Sequence, residues 1–169
     1  METMRAILTR RSIRKYKPQP VPAEVVKELL EAAMNAPSAG NHRPWYFIVV
    51  DDPEIMRRIP EFHPYAQMVT RAPLAIVVCG DSLSGRGYGF WVQDCAAATQ
   101  NMLLAIHDKG LGGVWLGVYP LQERIDGARK LFNLPEHIMP LSIVVLGYPD
   151  EEKPIVNNFD PSKVHHNRW

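Results

Sequence analysis

The sequence predicts a mixed α+β fold, a single domain over residues 1–169. Three observations predict it. Short apolar runs of strand length occur at residues 46–50, 74–79 and 143–148, and they suit buried strands. Between them lie stretches whose apolar residues recur at three and four, as amphipathic helices require. The order that results is helix, helix, strand, strand, long helix, strand, helix, strand. A chain of 169 residues is the size of one domain and can bury a substantial core. No internal repeat or linker interrupts it.

Met4, Ile7 and Leu8 share one helical face, so a short first helix should end near Arg10. Pro18, Pro20 and Pro22 force an extended connection, and Pro22 suits the first turn of a second helix. In that helix Val25, Val26, Leu29, Leu30 and Ala33 oppose Glu24, Lys27, Glu28 and Glu31. It should stop before Pro37. Residues 37–45, with two prolines, a glycine and several hydrogen-bonding side chains, make a loop. Its place between a helix and a buried strand makes it a candidate pocket rim; turn chemistry alone gives the same composition. Residues 46–50 follow as a strand. Residues 54–72 predict only a weak helix and a loop, Glu61-Phe62-His63-Pro64-Tyr65. Pro73 opens an apolar strand through Cys79, and residues 82–89 make a mobile or substrate-edge loop.

The helix predicted over 88–109 is apolar most of the way round, from Phe90 and Trp91 through Ala96, Ala97 and Ala98 to Ile106. Such a helix must be covered on most sides. Its alanines would let another backbone come close, so we expect a homodimer with this helix near the interface. A central helix covered inside one subunit gives the same pattern. Gly110-Leu111-Gly112-Gly113 ends the helix, and residues 114–120 read as a strand running into an ordered loop. Gly117 there would let backbone approach a flat ligand. Leu121, Ile125, Ala128 and Leu131 predict an amphipathic helix, and residues 143–148 the last strand. The tail from Asp150 is polar and ends in Trp169, which either docks on an apolar surface or belongs to an unordered end.

Nineteen Lys and Arg face eighteen Asp and Glu. That balance argues against nucleic acid or an anionic membrane as the main partner. No apolar stretch reaches bilayer length, the first residues lack the apolar core of a secretion signal, and a cytoplasmic location is the expectation. Cys79 and Cys95 read as small buried hydrophobes, without disulfide-framework or zinc spacing. The six histidines are scattered apart from His165-His166, so no metal site is predicted. Neither a G-x-S-x-G elbow nor H-E-x-x-H occurs. The glycines at 110–117 open no helix and form no G-x-G-x-x-G fingerprint.

One local charge excess stands out. The first twenty residues carry six Lys or Arg against Glu2 alone. Within them, Arg10-Arg11-Ser12-Ile13-Arg14-Lys15-Tyr16 sets guanidinium forks beside a hydroxyl, the groups that match phosphate oxygens. Ile13 and Tyr16 break the run, so part of it should pack down; a solvated basic arm is the other reading. A phosphate cradle, glycine-exposed backbone and no catalytic dyad together suggest a cofactor that carries the chemistry itself.

Four motifs in this order resemble the nitroreductase family: residues 10–16; Pro37-Ser38-Ala39-Gly40-Asn41-x-x-Pro44-Trp45; Gly110-Leu111-Gly112-Gly113-Val114-Trp115-Leu116-Gly117; and Leu134-Pro135-x-His137-Ile138 with Leu146-Gly147-Tyr148-Pro149. Each is weak alone, and together they are specific. The chain is similar to the short members that lack large inserted helices. The resemblance implies a central, mostly antiparallel sheet flanked by helices, in an intertwined homodimer with two FMN sites at its interface. By that similarity Arg10, Arg11, Ser12 and Arg14 would hold the phosphate, ribityl chain and pyrimidine edge. Ser38, Ala39 and Asn41 would come from the partner, and Gln67 is a further candidate. Leu116 and Gly117 would lie along the ring, with the Gly117 N–H facing N5 and Arg14 near the pyrimidine edge. No side chain would act as a catalytic acid, base or nucleophile.

The implied activity moves two electrons from NAD(P)H to a small-molecule acceptor, nitroaromatic or quinone-type, in ping-pong order. Two alternatives use the same scaffold: other reductive chemistry such as dehalogenation or flavin fragmentation, and a non-catalytic flavin-binding dimer. The chain departs from the family pattern at Asn157 and Asn158, where a Lys and Arg pair is common before Phe159-Asp160-Pro161. It departs again at His42-Arg43, where a glutamine is common.

Overall fold

The computed structural model describes residues 2–169. Its helices are α1 (Thr3–Thr9), α2 (Ala23–Met34), α3 (Pro53–Arg58), α4 (Trp91–Asp108) and α5 (Gln122–Phe132). Its strands are β1 (Trp45–Val50), β2 (Leu74–Asp81), β3 (Gly112–Gly117) and β4 (Ile138–Gly147). The strands form one antiparallel sheet in the order β1-β2-β4-β3.

Strand alternation divides the core. From β2, Ala75, Val77 and Cys79 face one side, where they meet Val114, Leu116, Ile143, Val145 and the α5 residues Ile125 and Ala128. Leu74, Ile76 and Val78 face the other side, against Val144, Leu146 and the α4 residues Cys95, Ala98 and Met102. The layers therefore run α2, α4, sheet, α5. Leu29 and Met102 are fully buried, and truncating either to Ala would cost about 2–5 kcal/mol.

α4 starts at Trp91, so Tyr88, Gly89 and Phe90 precede it rather than belong to it. The sheet covers one flank and α2 another, and Asn101 Nδ2 donates to the Ala32 carbonyl at 3.2 Å. Its apolar character is thus largely accounted for within one chain. Exposed apolar side chains include Met4, Ile7 and Leu8 of α1, Tyr88 and Phe90 just before α4, and Ile155, Phe159 and Trp169 of the tail.

Three elements extend beyond the sequence reading. β4 begins at Ile138 and includes Pro140, which pairs with Cys79 where the register shifts. A bulge tolerates the missing donor of a proline. β3 begins at Gly112, whose lack of a side chain hid it from periodicity. Between β1 and β2, Asp52 caps α3 by accepting from Glu54 N at 2.8 Å, with Pro53 in the first turn. Short 3-10 turns follow at Ile59–Glu61 and Gln67–Arg71. Asn133 ends α5 in the left-handed conformation.

Cys79 and Cys95 are fully buried, and burial pushes both thiols up to about 12. They are packing residues, as their neighbours imply. Among the described residues no helix is long and apolar enough to cross a membrane.

Candidate functional site

The basic stretch packs along the edge of the sheet. β3 is an edge strand. Ile13 N–H donates to the Gly113 carbonyl at 3.1 Å, and Ser12 bridges Gly113 in parallel. Lys17 N–H donates to Tyr148 O and Asp150 N–H to Lys15 O, both at 2.9 Å. Ile13 and Tyr16 are buried. The Tyr16 hydroxyl lies within reach of the Ile13 carbonyl and is 3.1 Å from Val145 O; burial raises its pKa above the usual phenol range. The two apolar side chains thus anchor the segment while Arg10, Arg11 and Ser12 stay partly exposed and Arg14 exposed.

Gly112 makes this docking possible. A Cβ there would come 2.7 Å from Ile13 Cβ and Cγ2. At Gly117, by contrast, an added Cβ meets nothing within 4 Å. The backbone there is also open. In an antiparallel ladder, residues alternate between facing the partner strand and facing away. The Gly113 carbonyl faces away from β4, since it accepts from Ile13. Trp115 and Gly117 share that parity, so the Gly117 N–H also points to the free edge. Val118 N–H, next in line, returns to Leu141 O at 3.0 Å as the alternation demands.

Five of the predicted residues line three separate hollows within one chain. Arg10 and Arg11 line one of about 370 Å³ with Thr9, His107 and Lys153. The Arg11 guanidinium also donates to the Pro154 carbonyl. Thr9 Oγ1 is 2.8 Å from His107 Nε2. Arg14 and Gln67 line a second of about 450 Å³ with Tyr16, Thr70 and Arg71. Arg14 N–H donates to Glu151 Oε1 at 2.6 Å. That carboxylate is held below its usual range, first by Lys153 and then by the Arg14 N–H.

Ala39 lines a third hollow at the start of α4 with His42, Tyr88 and Trp91. Its N–H donates to the buried Asp94 carboxylate at 2.9 Å. Ser38 Oγ accepts from Arg43 N at 3.0 Å, and Asn41 Oδ1 accepts from Arg43 Nε at 3.0 Å. Gly40, Asn41 and Arg43 all have positive φ, so this loop is tightly wound. Leu116 is buried, and Gly117 is partly buried. No one hollow holds all ten candidates.

Two residues escaped the sequence reading. His63 Nε2 is 3.0 Å from the Gly117 carbonyl oxygen, and Arg124 Nη1 donates to that same oxygen at 2.7 Å. Nothing local marks either; only their convergence on Gly117 does. Asn157 Oδ1 accepts from Phe159 N at 3.1 Å and so serves a turn of the tail. Among the described residues no three His, Cys, Asp or Glu side chains converge on a metal position.

Comparison with known proteins decides the family. The family model described as the nitroreductase family matches residues 7–63 and 61–148. The chain belongs to the nitroreductase family. A relative from Methanothermobacter thermautotrophicus, provisionally named an NADH dehydrogenase/NAD(P)H nitroreductase, is 53% identical over all of this chain and 88% of its own length. A crystal structure from Parabacteroides distasonis with the same provisional name has a TM-score of 0.95 at 44% identity, covering 99% of this chain and 98% of that one. An FMN-dependent nitroreductase from Clostridium difficile has a TM-score of 0.91 at 32% identity, covering 99% of this chain and all of that one. The protein is thus an enzyme of the nitroreductase type, with the mixed helix and antiparallel-sheet fold of that family.

Proposed function

We propose that this nitroreductase family member is an FMN-dependent oxidoreductase that works as a homodimer, with NAD(P)H as electron donor. One observation carries the reading: β3 presents an outward N–H and an open Cβ position at Gly117, on the edge strand whose Gly113 end anchors the basic segment through Ser12 and Ile13. An outward donor on an open strand edge, with a basic segment anchored to the same strand, fits a flavin. The name of the Clostridium difficile relative points the same way.

Arg10, Arg11 and Ser12 would take the phosphate end through charge-assisted hydrogen bonds. Arg14, with Gln67 in the same hollow, would set positive charge at the pyrimidine edge, where a water-poor interface strengthens it. Leu116 and Gly117 would support the ring, and the Gly117 N–H would donate to N5. Ser38, Ala39 and Asn41 of a second copy would close the site. The exposed apolar faces of α1 and the tail are surface that such an assembly would cover. Bound FMN would supply the two-electron chemistry, oxidising NAD(P)H and then reducing a nitroaromatic or quinone-type acceptor in ping-pong order.

Absorption spectroscopy of the purified protein tests the proposal. The protein should be yellow, and anaerobic NADH or NADPH should bleach it. Air, a quinone or a nitroaromatic should restore the colour. Colourless protein that takes up no added FMN overturns the reading, and a flavin left oxidised by excess NADH and NADPH overturns the catalytic part of it.

A further inference from the structure

The turn containing His63 has no part in the proposed flavin cradle, yet it is built at a cost. His63 is 2% exposed. It reaches Gly117 from 54 residues away in sequence. Its Nε2 lies 3.0 Å from the Gly117 oxygen, and Arg124 Nη1 lies 2.7 Å from that oxygen and 3.3 Å from Nε2. A proton on Nε2 lets the oxygen face two donors. The other tautomer would set a lone pair against it, so the Nε2–H form is assigned. Nδ1 is then a bare acceptor, and it has no hydrogen-bond partner among the described residues.

A buried polar atom without a partner is costly. Leucine would fill the same space without that cost, so space-filling does not explain a histidine here. The histidine's other nitrogen does. At Gly117 the N–H and C=O both face the free edge. A bare carbonyl beside that N–H would offer an acceptor where an acceptor is to bind. Two donors on the oxygen remove it and fix the peptide between Gly117 and Val118, at a residue with no side chain to restrain it. At Gly117 the edge then offers a donor and no bare acceptor. Tyr65 supports the clamp from outside, its ring centroid 5.6 Å from Arg124 Cζ.

We infer that His63 and Arg124 are positioning residues: they cover and hold the Gly117 carbonyl so that β3 offers a bound flavin ring one fixed N–H. This rests on the flavin site proposed above. An oxidised ring accepts at N5, whereas a reduced ring carries a proton there, so a fixed donor favours the oxidised form. Slackening it should raise the midpoint potential of the bound flavin.

The test compares His63→Leu with His63→Gln, whose side-chain amide can place an N–H near the imidazole Nε2. Arg124→Met is a second route to the same loss if His63→Leu does not fold. In FMN-free protein, the Val118 amide shares the clamped peptide, and its hydrogen exchange should accelerate about tenfold or more in His63→Leu. In FMN-loaded protein, His63→Leu should bind oxidised FMN about tenfold more weakly while reduced FMN changes little. For a two-electron couple that ratio is a rise of about 30 mV. His63→Gln should stay near wild type in both measurements. Equal behaviour of the Leu and Gln variants, or an unchanged potential in both His63→Leu and Arg124→Met, overturns the inference. If wild-type protein binds no FMN, the functional proposal fails instead, and Val118 exchange still decides whether the clamp exists.

Discussion

Ile13 occupies the space that a side chain at Gly112 would need. The contact ties the basic stretch to the sheet: β3 starts on a residue without a Cβ, and Ile13 fills the gap at 2.7 Å from where that Cβ would be. Gly112→Ala should therefore push Ile13 outward and loosen residues 11–16. Overpacking of this kind costs about 1–3 kcal/mol. Urea unfolding should show that loss, and flavin titration should show weaker FMN binding. A variant with wild-type stability and affinity would mean that the edge does not need Ile13 in place.

Gly117→Ala should behave in the opposite way. The Cβ meets nothing in the chain, and Gly117 is not among the positive-φ glycines. Alanine should leave stability unchanged or raise it by up to about 1 kcal/mol. The same methyl would stand in the proposed flavin cradle. Thermal unfolding of FMN-free protein paired with FMN titration separates the two effects. A wild-type FMN dissociation constant would show that the ring lies elsewhere.

Arg10→Ala combined with Ser12→Ala removes two of the three proposed phosphate contacts without touching the buried Ile13 and Tyr16. Each charge-assisted hydrogen bond is worth about 1.5–3 kcal/mol, roughly ten- to a hundredfold in binding. The variant should keep the wild-type oligomeric state by sedimentation yet lose flavin on dialysis. Flavin retention equal to wild type would move the phosphate away from these residues.

His63 also predicts an acid sensitivity. Its pKa is lowered: burial is the largest cause, the Gly117 carbonyl opposes it, and Arg124 adds to it. The unfolded chain takes up a proton near pH 6.5, whereas the native state resists it. Stability is fully present above that pH and is lost as pH falls through the folded value. His107 is lowered too, by burial and then by Arg10, so it contributes with the same sign. Subtracting the His63→Gln denaturation profile from wild type between pH 7.5 and 5 isolates His63. A difference that does not change with pH would show that the imidazole titrates normally.

The helical stripes of α2 and α5 and the apolar run of β2 were legible in sequence because burial on one face imposes a period. Ile13 and Tyr16 were legible in the same way, as apolar breaks in a basic run. Pro140 hid the first half of β4, because proline argues against a strand unless a bulge receives it. Residues 54–72 carry no sustained period, since short 3-10 turns present little continuous apolar face. The family motifs named Gly117 but not what lies behind it.

The sequence by itself determined the alternation of elements, the family and the cluster of arginines, all of which are local patterns or ordered motifs. Only the tertiary structure decided which way the Gly117 backbone faces and which groups hold its carbonyl. Strand order makes β3 an edge, and pairing parity turns Gly117 outward. Folding then brings His63 and Arg124 to one oxygen. Hydrogen-bond direction is a property of registered strands in space, and no stretch of one-dimensional sequence carries it.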